Sequence, residues 1–490
     1  MKRLVLNGAA TTIADIAAIA REDAWVEVER DVYDRLEKSR AILDRAAASG
    51  QQIYGLNTGL GANLKTPVTE GIAAFQEQLV RGRGMGVGPS MQRDVTRAVM
   101  AARLAMLAVG GSGISPAVFN DLLALLNKQI HPAIPSFGSI GAGDLVLLSA
   151  LAQTLIGEGE AEYRGTVHPS AHALKMAGLE PSSLGPKDGL SLLNASAVSV
   201  GQGALVAVDA TLLLELQRRA VAMSFDALGG NPQILMPAIQ RARPAAGQVE
   251  EAEKLLALLD GSSLFETKTA IQDALSLRCV ASIQGALALA LRGMTGAVEI
   301  ELNSAADNPL VIIDEERVLS TGNFHTPSLA LAFETLGLAI AQTALASAAR
   351  FIQLSGSSRH GLPRYLSPVG GASAGFVPLQ KTVAALAGAI RHKANPVLLD
   401  FLAVSEGVED HATQTPLAVA KCAEIIELWR QLVACEMLAA AQAMDLRPEH
   451  RCGNGARQGY EMVRTISPGL ETDRALGADV SALAESLRRP

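Results

Sequence analysis

Tyr54, one of only five tyrosines, lies in Tyr-Gly-Leu-Asn-Thr-Gly-Leu-Gly, between glycine-bearing turns. A phenol there can act as a general base once a neighbouring cation or backbone dipoles favour the phenolate, although a lone tyrosine can equally anchor a loop. Arg278 lies in Gln-Asp-Ala-Leu-Ser-Leu-Arg-Cys, which reads as one helical segment holding Gln272, Asp273 and Arg278. Its guanidinium can clamp a carboxylate through two parallel hydrogen bonds, or serve the core. Glu409, Asp410 and His411 are consecutive, too close in sequence to share one helical face. His168 and His172 have the spacing of two ligands on a helix. Pro169 signals a turn at a helix start and no carboxylate pair is near, so they read as surface histidines and no metal site is expected. The run Gly138-Ser139-Ile140-Gly141-Ala142-Gly143-Asp144-Leu145 is rich in glycine, yet no Lys-Ser/Thr follows it. That removes the phosphate-cradling loop and nucleotide binding.

Such residues need elements to hold them. The 490-residue chain is 49% hydrophobic and only 3% aromatic, a composition suited to helices packed closely through small residues. The stretches 205–230, 277–302 and 328–354 are apolar at helical spacing and end near Gly or Ser. Several look apolar on more than one face, which predicts burial between other helices or subunits. Residues 1–130 read as short helices broken by glycine loops, with a short strand and turn ahead of the first helix. The expected division is an N-terminal active-site domain over 1–200, a central helical bundle over 201–440 and a C-terminal helical cap over 441–490.

A net charge of −7 and a pI near 5.7 argue against a nucleic-acid surface and favour a small-molecule substrate. Cys279, Cys422, Cys435 and Cys452 lack paired spacing, so neither a disulfide framework nor a zinc ribbon is indicated, and a reducing, cytoplasmic setting is expected. Asn7, Thr11, Thr12 and Asp15 interrupt the first apolar stretch, so a signal peptide is not expected. The uncharged run from Gly189 to Val208 approaches the length of a membrane span but holds Asn194, Gln202, serines and glycines. A buried helix and no membrane partner are expected.

In order along the chain, the segments Tyr54–Gly61, Gly138–Leu145, Gly189–Ser196, Gln272–Cys279, Glu301–Pro309, Gly322–His325 and Val408–His411 resemble the histidine and aromatic amino acid ammonia-lyase family, over nearly the whole chain. The resemblance implies a mainly α fold of the ammonia-lyase (fumarase/aspartase-like) type with a long central helical bundle. It also implies a homotetramer whose active sites take loops from different subunits. Members of the family eliminate ammonia from an amino acid with methylidene-imidazolone, an electrophile made by cyclising an internal Ala-Ser-Gly. Here the segment reads Ala142-Gly143-Asp144, and the cyclising serine is missing. Without its hydroxyl no exocyclic methylene can form, so no cofactor is expected. Leu275 stands where the family usually has a tyrosine, and Arg83 where the histidine-specific members have a histidine.

A quaternary α-ammonium has no lone pair to give such an electrophile and leaves as a neutral tertiary amine. The resemblance therefore points to the family's cofactor-free branch, the ergothionases, which cleave ergothioneine to trimethylamine and thiourocanate. It implies Tyr54 as general base on the β-carbon and Arg278, assisted by Asn194, on the substrate carboxylate. Glu409 would accept an imidazole N–H, since histidine-specific members carry a carboxylate there and phenylalanine- or tyrosine-specific members an amide. Lys381 would face the thione sulfur, or else lie on a solvated helix face; Gln272, Phe324 and Arg83 complete the substrate-binding set. Two other readings remain open. One is a methylidene-imidazolone-dependent histidine ammonia-lyase whose Ala-Ser-Gly is misrecorded, and the other an inactive family fold serving as an oligomeric scaffold.

Overall fold

Four helices carry the longest apolar stretches: α1 (Ala197–Leu228), α2 (Val280–Leu302), α3 (Pro327–Gly356) and α4 (Thr415–Asp445). The computed structural model describes residues 2–68, 71–267, 270–356, 361–399 and 401–488. The chain divides into two compact units, each assembled from three separate stretches. The first is Met1–Val208, Met294–Ala332 and Pro396–Ala420; the second is Asp209–Gly293, Phe333–Asn395 and Lys421–Pro490.

In the first unit, short strands and helices build the frame for several loops. The expected strand and turn at the N-terminus are present, as a parallel pair of Arg3–Leu6 with Trp25–Val28 around the helix Ile13–Arg21. A hairpin of Leu310–Ile312 with Arg317–Leu319 places Val311 and Val318 in a cluster with Ile42, Leu43, Ile53 and Leu56. Burying such side chains stabilises by roughly 1.5–3 kcal/mol each, so this cluster pins the loop bearing Ile53 and Leu56.

In the second unit the helices enclose charge as well as apolar surface. Glu436, on α4, is fully buried and accepts from Arg350 Nε at 2.6 Å and Arg350 Nη2 at 2.9 Å, both from α3. Its remaining lone pairs are taken by Ser347 Oγ, Ser224 Oγ and Gln217 Nε2. Gln217 in turn accepts from the buried indole N–H of Trp429 at 3.0 Å. A buried carboxylate is tolerable only with this degree of pairing.

Two expectations are corrected. The run Gly189–Val208 is buried as expected, but it is no single helix: Asp188–Leu193 ends and α1 begins only at Ala197, leaving Asn194 in the break. The cause is tertiary, because Asp144 from a distant loop takes the first N–H groups of α1. Gln272 and Asp273 precede the short helix Leu275–Arg278 instead of sharing it. Asp273 is held outside it by accepting from the backbone N–H of Asn231 at 2.7 Å.

Two helical stretches, Asp188–Leu228 and Pro327–Gly356, are long and apolar enough to cross a membrane by length and composition, and 72% and 61% of their most apolar windows are buried. α3 also carries an outward apolar stripe. Leu331, Leu338, Leu345 and Ile352 are 54%, 49%, 45% and 41% exposed and recur at heptad spacing on one helix face.

Candidate active site

The turn bearing Tyr54 is tied at both ends. Leu56 N–H and Asn57 N–H both donate to Ile53 C=O, and Asn57 Oδ1 accepts from Ile53 N–H at 2.7 Å. Gly55 has φ +68°, and a Cβ there would meet Leu190 Cδ2 at 2.5 Å, so only glycine allows the turn to lie this close. With Ile53 and Leu56 buried on either side, the phenol is left facing a cleft. Its oxygen accepts a hydrogen bond from the backbone N–H of Gly61 at 3.0 Å.

That cleft, in the first unit, has a volume of about 1050 Å³. It brings together Tyr54, Ala142, Asn194, Phe324 and Glu409 from five separate stretches of sequence. Asn194, in the break before α1, is nearly buried and donates through Nδ2 to Asn308 C=O at 2.9 Å. The Asn308 turn is itself anchored, since the adjacent Asp307 accepts from the buried Arg103 at 3.1 Å. Ser196 Oγ donates to Phe324 C=O at 3.1 Å, which fixes the loop that presents Phe324 and His325. Glu409 is half-buried and accepts from Ser405 Oγ at 2.6 Å.

The glycine-rich segment is a turn against the first turn of α1. Gly143 has φ +77°, a left-handed conformation that disfavours any side chain. A Cβ at Gly143 would lie 3.1 Å from Asn194 Oδ1. Gly143 supplies no hydroxyl to this turn. Asp144 follows it, fully buried, and accepts from Ser139 Oγ at 2.8 Å and from the N–H groups of Val198 and Ser199 at 3.0 and 3.2 Å. Burial pushes its carboxyl up to about 6, against the downward pull of these hydrogen bonds.

Because the folded carboxyl binds its proton more tightly than the ordinary 3.8, Asp144's contribution is fully present below that value and is lost as pH rises through about 6. The stability of the wild type relative to Asp144→Asn is therefore expected to fall by roughly 2–2.5 kcal/mol between pH 4 and 7. Paired denaturant titrations across that range measure it, and a difference that grows with pH would overturn the assignment.

The remaining candidates lie elsewhere. Arg83 ends the helix Ile72–Arg83 and does not line the cleft; its carbonyl accepts from Ser149 Oγ at 3.1 Å. Gln272, Arg278 and Lys381 belong to the second unit and are exposed. Arg278 Nη1 donates to Gln272 Oε1 at 2.9 Å, and Lys381 sits on the helix Val377–Lys393. Leu275, beside them, is exposed too. His168 and His172 lie 5.4 Å apart between ring centres, and among the described residues no cluster of three or more potential ligands includes them.

Sequence reasoning singled out no role for Asn308, His325 or His411, all of which line the cleft. His325 Nε2 and His411 Nδ1 are 2.8 Å apart. Both lie in segments whose composition had drawn notice, Gly322–His325 and Val408–His411, but their pairing is a product of the fold.

The family model "Aromatic amino acid lyase" matches residues 11–465. The chain belongs to that family. It is 36% identical over 489 residues to a histidine ammonia-lyase of Gloeobacter violaceus, covering 98% of this chain and 95% of that protein. A histidine ammonia-lyase of Myxococcus xanthus is 35% identical, covering 99% and 96%. Among solved structures, the ergothionase of Treponema denticola in complex with desmethyl-ergothioneine sulfonic acid matches with a TM-score of 0.94 and 32% identity, covering 99% of both chains. The histidine ammonia-lyase of Trypanosoma cruzi matches with a TM-score of 0.92 and 30% identity, covering 99% of this chain and 93% of that one. The lyase thus has the mainly helical ammonia-lyase fold expected from its motifs, and its relatives are carbon–nitrogen lyases.

Proposed function

We propose that this lyase eliminates trimethylamine from an imidazole betaine of the ergothioneine class, giving thiourocanate, without methylidene-imidazolone. The observation that carries the reading is Gly143: a left-handed glycine stands beside Ala142 where the electrophile requires a serine. The segment does not fit the cofactor, so no step runs through it. The ergothionase similarity supports the same substrate class, while the similarity to histidine ammonia-lyases supports an imidazole ring.

The chemistry needs a base, a hold on the ring and a hold on the carboxylate. Tyr54 as phenolate takes the β-proton, and the Gly61 N–H aimed at its oxygen stabilises that anion. The C–H electron pair becomes the new Cα–Cβ double bond as the Cα–N bond breaks. Its pair stays on nitrogen, and trimethylamine leaves neutral without a proton donor. Glu409 accepts a ring N–H, and Asn194 reaches the carboxylate. In the homotetramer we propose, Arg278, Gln272 and Lys381 come from other copies of the chain, with Arg278 on the carboxylate and Lys381 toward the thione sulfur. The exposed stripe on α3 is apolar surface suited to such assembly.

Incubation with ergothioneine, hercynine and histidine tests the reading. Trimethylamine and an absorbing acrylate are expected from the betaines, with no ammonia from histidine. Rapid ammonia release from histidine would overturn it, as would an intact mass requiring a serine and the loss of two waters.

A further inference from the structure

The loop that carries Glu409 has little apolar surface to hold it down. Leu399, Leu402 and Val408 are largely exposed, and Ser405, Glu406 and Gly407 are consecutive left-handed residues with φ of +54°, +56° and +83°. Downstream it is tied where Thr413 Oγ1 donates to Gly141 C=O at 3.0 Å and Gln414 N–H to Ile140 C=O at 2.9 Å. Closer to Glu409, a hydrogen bond between His411 and His325 leaves the loop. The His325 side of that contact is firm. His325 pairs through its backbone with Ala142, its N–H donates to Gly322 C=O at 3.0 Å, and Ser196 holds the preceding carbonyl.

We propose that the His325–His411 hydrogen bond is a clasp that positions Glu409 over the cleft and opens when both imidazoles are protonated. This rests on the reading that Glu409 receives the substrate ring. A bond between Nε2 of one ring and Nδ1 of the other needs one N–H and one lone pair. A first proton can be carried by the pair with the bond intact. A second puts hydrogens on both facing nitrogens and two positive charges on rings whose centres are 5.0 Å apart.

Burial, and then the charge of His411, lowers the His325 imidazole, so the doubly protonated state is reached only on the acid side of the usual histidine range. The titratable groups lining the same cleft are Tyr54, Lys65, Glu409 and Asp410. Phe401, tilted against His411 with ring centres 6.5 Å apart, adds no charge. Loss of the Tyr54 hydroxyl affects proton abstraction and therefore kcat. Opening of the clasp affects the hold on the ring and therefore KM.

The two nitrogens can be imitated by neutral amides: asparagine puts a polar atom where His411 has Nδ1, and glutamine does so for His325 Nε2. In trimethylamine release from ergothioneine, His411→Leu is expected to raise KM by about tenfold, the worth of one lost hydrogen bond, with kcat within about twofold of wild type. His411→Asn and His325→Gln should restore KM and remove its rise at acid pH. Amide exchange over residues 402–412 should quicken in His411→Leu and not in His411→Asn. If wild type fails to turn over ergothioneine, the substrate reading falls, and the exchange data with imidazole nitrogen shifts still decide the clasp. An acid rise in KM identical in wild type and His411→Asn, or unchanged exchange in His411→Leu, would overturn it.

Discussion

Tyr54→Phe is expected to lower kcat for trimethylamine release by roughly 10²–10⁴-fold, the range over which a positioned general base contributes. Binding should survive the change. The turn is held by burial of Ile53 and Leu56 and by backbone hydrogen bonds to Asn57 and Gln76, so the ring should keep its place against the cleft wall. What disappears is the oxygen that accepts from Gly61, and with it the proposed acceptor for the β-proton. Steady-state kinetics and calorimetric titration with ergothioneine separate the effects: kcat collapses while affinity stays within a few-fold. Undiminished turnover would assign proton removal to another group.

The second large effect is on stability. Arg350→Met should destabilise the lyase by roughly 3–5 kcal/mol, because it leaves the Glu436 carboxylate buried without its cation. Ser347, Ser224 and Gln217 would still donate, but neutral donors cannot offset the desolvation of a full charge. Arg350 Nη1 also donates to Ser276 C=O at 2.9 Å, two residues before Arg278, so the same variant should loosen the segment that carries Arg278. Urea unfolding of the two proteins measures the main effect. A loss under about 1 kcal/mol would mean that water reaches Glu436 once the guanidinium is gone.

The contrast between these predictions reflects what a sequence displays. Tyr54, Asn194, Phe324 and Glu409 stand in motifs of unusual composition, and the fold gathers all four on one cleft. Arg350 and Glu436 are each one of the charged residues in a long, largely apolar helix, and nothing local says that they meet across 86 positions. The histidines give the same lesson. His168 and His172 show ligand-like spacing and, among the described residues, form no larger cluster, whereas His325 and His411 show no spacing and form a hydrogen bond. The apolar run ending at Val208 was legible as buried, but hydropathy does not see a carboxylate arriving from Asp144 to set where α1 starts. Periodicity reports which face is buried; it is silent on polar contacts made at long range.

The Asp144 carboxylate has one further consequence, for how a substrate anion can be recognised. A 32-residue helix such as α1 ends in a partial positive charge, a natural seat for a carboxylate group, and Asn194 lies just ahead of it. Here the seat is taken. At neutral pH Asp144 is mostly ionised and already occupies the N–H groups of Val198 and Ser199, so the helix end offers little residual field to an incoming anion. In the proposed reaction the substrate carboxylate must therefore find its countercharge in a side chain. Asn194 can orient that carboxylate but cannot neutralise it, which leaves discrimination between charged and uncharged substrate ends to cationic side chains, Lys65 on the cleft wall and, in the proposed assembly, the guanidinium of Arg278 from another copy.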